Sequence, residues 1–488
     1  MNLEKLISGN LILFTSFLLA QTSAQPSVQT YYPQVYAEQQ LVGKEMTAEK
    51  SLLSPKIQLD TELNRVQSDP VLRYATWGFA VYDPQANKMI TCYNENVPLV
   101  PASTTKLLTT DTAYSLFGKK FQWVTQLEYS GEITPEGALN GNLYIIGSGD
   151  PSLGTNQAGA DSYWTIIANF KDALNRAGIK RINGGIVIES GIFKTSETIL
   201  PPNIVWLEHN NYYLPVGNTQ NINPQNEKMV VKAKRPSSGE KSYFYISPYS
   251  KQLVYADKFE GNTYLQGKLP DAPAYLANNL KSSLIKSGIP VTGTVTTRSV
   301  DANPEERVFL AEQKSPTLED IVYFTNQNSN NRFAEALMRI SGFYANGDLS
   351  LESGKSAVVS HLGTVGFDFA GLNYADGSGL SKSNTVTPLA HVKFLAQLMK
   401  QPYFKNYFDS LPIAGNSGTL KKMFLYNEAN GQIFAKTGTL NRVKTLAGYI
   451  KTRTGKTLTF SLLINNYSGS VDQVKRKMEQ LLEPTLQL

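Results

Sequence analysis

Ser103-Thr104-Thr105-Lys106 places a hydroxyl and an amine one helical turn apart, so on a helix the lysine amine lies over the serine oxygen. That arrangement suits a serine nucleophile with a neighbouring base. The stretch follows Val100-Pro101-Ala102 and opens a helix predicted from about Ser103 to Gly118. Its first backbone N–H groups therefore point toward the charge that develops on an attacked carbonyl. The spacing alone is weak evidence, because Ser238-Gly239-Glu240-Lys241 and Ser283-Leu284-Ile285-Lys286 share it. An ordinary exposed turn of helix accounts for most such matches. Neither of those two follows a Pro-Ala entry: the first lies in a polar turn and the second at a helix end before Gly288.

Two further strings have chemistry to offer. Ser329-Asn330-Asn331 lies between two predicted helices, where a hydroxyl and an amide can project together from a turn. The competing reading of the string is an N-cap for the helix containing Phe333. Lys436-Thr437-Gly438-Thr439 lies on a predicted strand, with Gly438 allowing a ligand backbone to approach closely. Its competing reading is an exposed strand with a solvated lysine, and Arg453-Thr454-Gly455 shows how readily a similar string arises in a turn.

The elements that must position these groups follow from periodicity. Ile57, Leu59, Leu63 and Val66 predict a short amphipathic helix, and Tyr74–Tyr82 and Lys88–Tyr93 predict a strand pair turning at Asp83-Pro84. From about Phe121 to Arg307 short β-rich runs alternate with Gly, Asn and Pro clusters, among them Leu143–Ile146, Gly185–Ile188 and Lys228–Ala233. Two helices interrupt that stretch, Tyr163–Arg176 and Tyr275–Lys286, and the whole reads as one or two inserted domains. Helices are predicted around Leu318–Thr325 and Phe333–Phe343. Strands at Ile433–Leu440, Thr445–Lys451 and Leu458–Ile464 predict a meander, and Val471, Val474, Met478 and Leu481 a final helix after Ser470.

Composition narrows the function classes. The 488 residues are 41% hydrophobic and 18% charged, as in folded globular chains. The net charge of +6 is spread without a basic run, which argues against nucleic acid as a partner. One cysteine, Cys92, and three histidines, His209, His361 and His391, exclude a Cys/His metal cluster and a cysteine redox pair. Leu11–Ala20 has the length of a signal-peptide apolar segment and precedes Thr22-Ser23-Ala24, small residues suited to cleavage. The expectation is a signal peptide at 1–24, a flexible lead-in at 25–56, and an exported periplasmic or cell-envelope protein with no integral membrane segment after cleavage.

Ser103-x-x-Lys106, Ser329-x-Asn331 and Lys436-Thr437-Gly438 occur in this order on a helix start, an interhelical turn and a strand, the set found in serine β-lactamases and penicillin-binding proteins. The chain resembles the class C, low-molecular-mass penicillin-binding proteins, the D-alanyl-D-alanine carboxypeptidase/endopeptidase family. The likeness extends through Gly147-Ser148-Gly149-Asp150-Pro151-Ser152-Leu153, Gln327–Glu335 and Asp376-Gly377-Ser378-Gly379-Leu380-Ser381. Ser329 follows Ser103 by more than two hundred residues, a gap that this family fills with inserted domains. The resemblance implies a mixed α/β fold. It consists of a β-lactamase-like domain of 57–120 and 308–488, with an antiparallel sheet flanked by helices, and a β-rich insertion of 121–307.

It further implies a serine DD-peptidase acting on peptidoglycan peptides, acylated by β-lactams as covalent inhibitors and needing no cofactor. Ser103 would attack, with neutral Lys106 as base, its pKa lowered by burial and by Lys436. Ser329 would relay a proton and Asn331 hold the substrate amide. Lys436 and Thr437 would bind the terminal carboxylate beside Gly438, and the N–H groups of Ser103 and Thr439 would form the oxyanion hole. Glu189 falls where relatives carry an Asp that can pair with a free substrate amine; a surface carboxylate is the alternative. Trp206–Tyr213 resembles a family landmark whose Gly-rich continuation is here Leu214-Pro215-Val216. Asp376–Ser381 reads as a turn supporting the cleft, and the histidines as structural. The rivals are a β-lactamase, an inert wall-binding or β-lactam-sensing protein, and a Ser-His-Asp hydrolase.

Overall fold

The computed structural model describes residues 54–190, 272–298, 304–347 and 350–488, together with the backbone of short strands between 204 and 265. The apolar run at Leu11–Ala20, the lead-in before Ser54, and the side chains of Trp206–Tyr213 lie outside the described residues. The first helix, Pro55–Gln67, begins inside the expected lead-in: Ser54 accepts from Ile57 N, and Pro55 sits at the first helical position, where its missing N–H costs nothing.

A five-stranded antiparallel sheet organises the site. Its order is Ile433–Leu440, Val443–Lys451, Thr457–Asn465, Thr76–Asp83 and Lys88–Tyr93, so the first strand of the chain pairs with the last. Both faces are covered. Alternate residues of Val443–Lys451 enter different cores, as the two-residue period requires. Leu446 and Ile450 pack with Leu59, Leu63, Val474 and Met478 from the first and last helices. Ala447 and Tyr449 pack with Leu107, Ile321, Phe333, Val358 and Leu395 from a helical layer. That layer comprises Lys106–Phe117, Leu318–Asn328, Asn331–Asn346, Leu351–Thr364 and Pro388–Leu398.

A second five-stranded sheet lies in the inserted stretch, ordered Val295–Arg298, Ile186–Glu189, Leu143–Ile146, Val124–Tyr129 and Val308–Lys314. Helices Tyr163–Arg176 and Ala272–Lys286 bury Ile166, Phe170, Leu280 and Leu284 against its Leu127, Ile145 and Ile188. Val308–Lys314, which the expected boundary at 307/308 assigns to the second segment, pairs antiparallel with Val124–Tyr129, with Lys314 opposite Val124. Entry and exit of the insertion are thus adjacent strands, and the helical layer resumes at Thr317, which caps Leu318–Asn328 in a capping box with Asp320.

Candidate active site

Ser103 stands in a tight helical turn, Ala102–Thr105, that runs into Lys106–Phe117. Ala102 has φ +48° and is fully buried, a left-handed conformation that a non-glycine residue adopts only when its surroundings enforce it. Here they do. Pro101 O accepts from Thr104 Oγ1 at 2.8 Å and from Thr445 Oγ1 at 2.7 Å, and Ala102 O accepts from Thr105 Oγ1 at 2.8 Å. Asn465 pairs with the backbone of Val100 in both directions, at 2.8 and 3.1 Å. The turn that carries Ser103 is therefore tied to the sheet.

Lys106 is fully buried. Its Nζ lies 3.0 Å from Ser103 Oγ and donates to Asn331 Oδ1 at 2.7 Å and Ser378 O at 2.6 Å. Burial brings its pKa down to about 7, against the pull of the Glu335 and Asp376 carboxylates. The expected contribution of Lys436 to this shift gives way to these two acids; charge repulsion acts instead on Lys436. That side chain is also fully buried, and burial first, then the charges of Lys106 and Lys444, take its pKa well below the ordinary lysine value. Its Nζ donates to Ser329 Oγ at 2.8 Å and Thr437 O at 2.9 Å.

Ser329 is not the N-cap. It ends Leu318–Asn328 in a left-handed conformation, φ 54° and ψ 42°, while Asn330 caps the next helix by accepting from Phe333 N at 3.0 Å. The division of labour leaves the Ser329 hydroxyl to Lys436. Gly438 is required by the protein itself: a Cβ there would lie 2.1 Å from Thr445 Oγ1 and 2.7 Å from Pro101 O. Thr437 is held by Thr419 Oγ1 at 2.7 Å, and Thr439, exposed on the same strand, accepts from Lys444 at 2.6 Å.

The Asp376–Ser381 turn is a support for the cleft. Asp376 accepts from the N–H groups of Gly379 and Ser381, both at 2.6 Å, and Glu335 from Ser378 N at 3.0 Å, fixing the carbonyl that Lys106 uses. Glu335, given no role by sequence reasoning, lies one helical turn beyond Asn331, a spacing that signals a shared face.

Glu189 is not a surface carboxylate. It is 1% exposed at the end of Ile186–Glu189, and its Oε1 accepts from Arg298 at 2.7 Å and Arg307 at 2.8 Å. Burial alone would raise its carboxyl, but Arg307 and Arg298 hold it below the usual range. The carboxylate is thus buried and paired with two guanidiniums rather than lying at the surface. His361 pairs with Asp111 at 2.7 Å and His391 with Ser461 at 3.2 Å. The described hydrogen-bond partner of Ser103 Oγ is Lys106, not an imidazole.

Comparison with known proteins follows the same lines. The D-Ala-D-Ala carboxypeptidase 3 (S13) family matches over residues 59–263 and 263–485. The chain is 28% identical over 473 residues to D-alanyl-D-alanine carboxypeptidase DacB of Haemophilus influenzae, covering 88% of this chain and 95% of that one. It is 26% identical over 453 residues to D-alanyl-D-alanine carboxypeptidase of an Actinomadura species, covering 84% and 82%. The crystal structure of penicillin-binding protein 4 from Haemophilus influenzae shares the fold, with TM-score 0.68 and 24% identity over 87% of this chain and 99% of that one.

Proposed function

The chain belongs to the D-Ala-D-Ala carboxypeptidase 3 (S13) family and is a serine-type D-Ala-D-Ala carboxypeptidase; on that premise we propose that Ser103 is its nucleophile and Lys106 its general base. The observation that carries this assignment is the convergence of all three motifs through two buried amines, Lys106 on Ser103 and Asn331, and Lys436 on Ser329.

With a pKa of about 7, Lys106 is substantially neutral at working pH and accepts the Ser103 proton as Oγ attacks the carbonyl of the penultimate D-Ala. The backbone N–H groups of Ser103 and Thr439 receive the oxyanion. Asn331, its Oδ1 taken by Lys106, presents Nδ2 to the substrate amide. Collapse breaks the peptide bond, and the departing amine takes its proton from Ser329, which Lys436 replenishes. Thr437, Thr439 and the Lys436 charge hold the terminal carboxylate, with the Gly438 backbone between them. That carboxylate draws the Lys436 pKa back up, so substrate binding itself charges the group. Lys106 gives up its proton and Lys436 regains one by exchange with solvent; water then attacks the acyl carbonyl, passing a proton to Lys106, which returns it to Ser103 Oγ as the acyl chain leaves.

The substrates are peptidoglycan peptides, with cleavage of cross-links as a second activity, and β-lactams acylate Ser103 as carbonyl mimics. The peptidase unit is formed by 57–120 and 315–488, with an insertion between them. Leu11–Ala20 and the small residues after it support export to the cell envelope. The test is intact-protein mass spectrometry after brief exposure to benzylpenicillin, with Ser103→Ala as control. A stoichiometric, persistent adduct on the Ser103 peptide supports the assignment; rapid drug loss without adduct points to a β-lactamase, and no reaction in folded protein to an inert binder. Unchanged turnover in both His361→Ala and His391→Ala dismisses a Ser-His-Asp mechanism.

A further inference from the structure

Lys444 sits on the middle strand of the C-terminal meander, directly across from Thr439 in the pairing register. Its ammonium donates to Thr439 Oγ1 at 2.6 Å, and the residue is 5% exposed. Its neighbours on the same face of the strand, Leu446 and Ile450, enter an apolar core. A lysine in that position is costly unless its charge is matched or used. Among the described residues it forms no salt bridge. Helix Val471–Leu482 presents Lys475, which repels it, and Asp472, which is itself bonded to Lys475 at 3.2 Å. Lys436, on the adjoining strand, shares the repulsion.

Thr437 and Thr439 lie on one face by the two-residue period of a strand, and Thr439 is exposed. An ammonium occupying one lone pair of Thr439 Oγ1 leaves the O–H to turn outward as a donor. We infer that Lys444 is a specificity-determining positioning residue, which holds the Thr439 hydroxyl as a donor to the substrate's terminal carboxylate and sets a second positive charge behind it. The inference rests on the reading of Thr437–Thr439 as the carboxylate cradle. Burial and then the Lys475 charge bring the Lys444 pKa down to about 8, so the added charge fades in mildly alkaline solution.

The test compares a peptide ending in D-Ala-D-Ala with its C-terminal amide, using the full chain, Lys444→Met and Lys444→Arg. In Lys444→Met, kcat/KM for the free acid falls about tenfold through KM, the loss of one charge-assisted contact, while the amide is hydrolysed as by the unaltered protein. Lys444→Arg restores most of the acid preference. Above pH 8 the acid loses kcat/KM in the unaltered protein but not in Lys444→Met. Equal losses on acid and amide would reduce Lys444 to a packing role, and no loss on either would overturn the inference outright. If the unaltered protein does not prefer the acid, the cradle reading fails and takes the inference with it; if it does, and Lys444→Met keeps that preference, only the inference fails.

Discussion

Ser329 Oγ accepts a hydrogen bond from Lys436 Nζ at 2.8 Å across 107 residues of sequence, which joins an interhelical turn to the edge strand of the central sheet. The bond places an ammonium behind the hydroxyl that would protonate a departing amine. Ser329→Ala should therefore reduce turnover of a peptide by about 10²- to 10⁴-fold. A thioester with the same acyl group, whose thiolate leaves without a proton, should be affected far less. Equal losses on both substrates would rule out proton relay by Ser329.

As the proposed base, Lys106 would act only when deprotonated, and burial brings its pKa down to about 7. Acylation by a fluorescent penicillin should climb with pH up to about 7 and level off above it. Glu335 pulls that pKa upward, so Glu335→Gln should move the rising limb to lower pH by about one unit. A limb that stays in place or moves up would show that another group titrates. Glu335 also fixes the Ser378 amide, and the glutamine variant retains an acceptor there.

Gly438→Ala directs a methyl group at Thr445 Oγ1 and Pro101 O, the two groups that tie the nucleophile turn to the sheet. Overpacking should cost about 1–3 kcal/mol of stability, read by denaturant unfolding. Acylation should fall with it, because the same displacement moves Ser103. Unaltered acylation would mean that the turn and the strand are not mechanically coupled.

Glu189→Gln removes the carboxylate from Arg298 and Arg307, the latter only 7% exposed. Both guanidiniums keep Glu305, at 3.2 and 3.0 Å, so the loss of one charge-assisted partner should lower stability by about 1–3 kcal/mol. The ratio of kcat/KM for peptides with and without a free amine at the third position should stay as it is. A selective loss on the amine-bearing peptide would return Glu189 to the substrate site.

Much of the candidate set was legible because its residue types are rare in combination and each sits at an element boundary that local sequence marks. Pro101 and Gly118 bracket the nucleophile helix, and alternation of apolar residues marks the Lys436 strand and its two neighbours. What stayed hidden depends on contacts distant in sequence. Serine and asparagine both cap helices, so Ser329-Asn330-Asn331 offers no local reason to prefer Asn330; the Lys436 amine decides it. Glu189 looks like a carboxylate at a strand end until Arg298 and Arg307 return from more than one hundred residues away. Val308–Lys314 ends in Glu-Gln-Lys, without clean alternation, and is a strand because Val124–Tyr129 offers an edge. Helix Leu351–Thr364 contains two glycines and weak amphipathicity, and packing against Asn331–Asn346 supplies what its own sequence lacks.

The pairing of Thr76–Asp83 with Thr457–Asn465 has a bearing on when activity arises. A chain that emerges amino end first presents Ser103 and Lys106 early. The strand that holds Lys436, and the Asn465 side chain that pins Val100, come only at the end. Long-range strand pairing of this kind closes late, since the intervening loop must be ordered first. The proposed nucleophile therefore meets these partners only when the last strands have been made, and a chain that stops short of them should not be acylated by a penicillin.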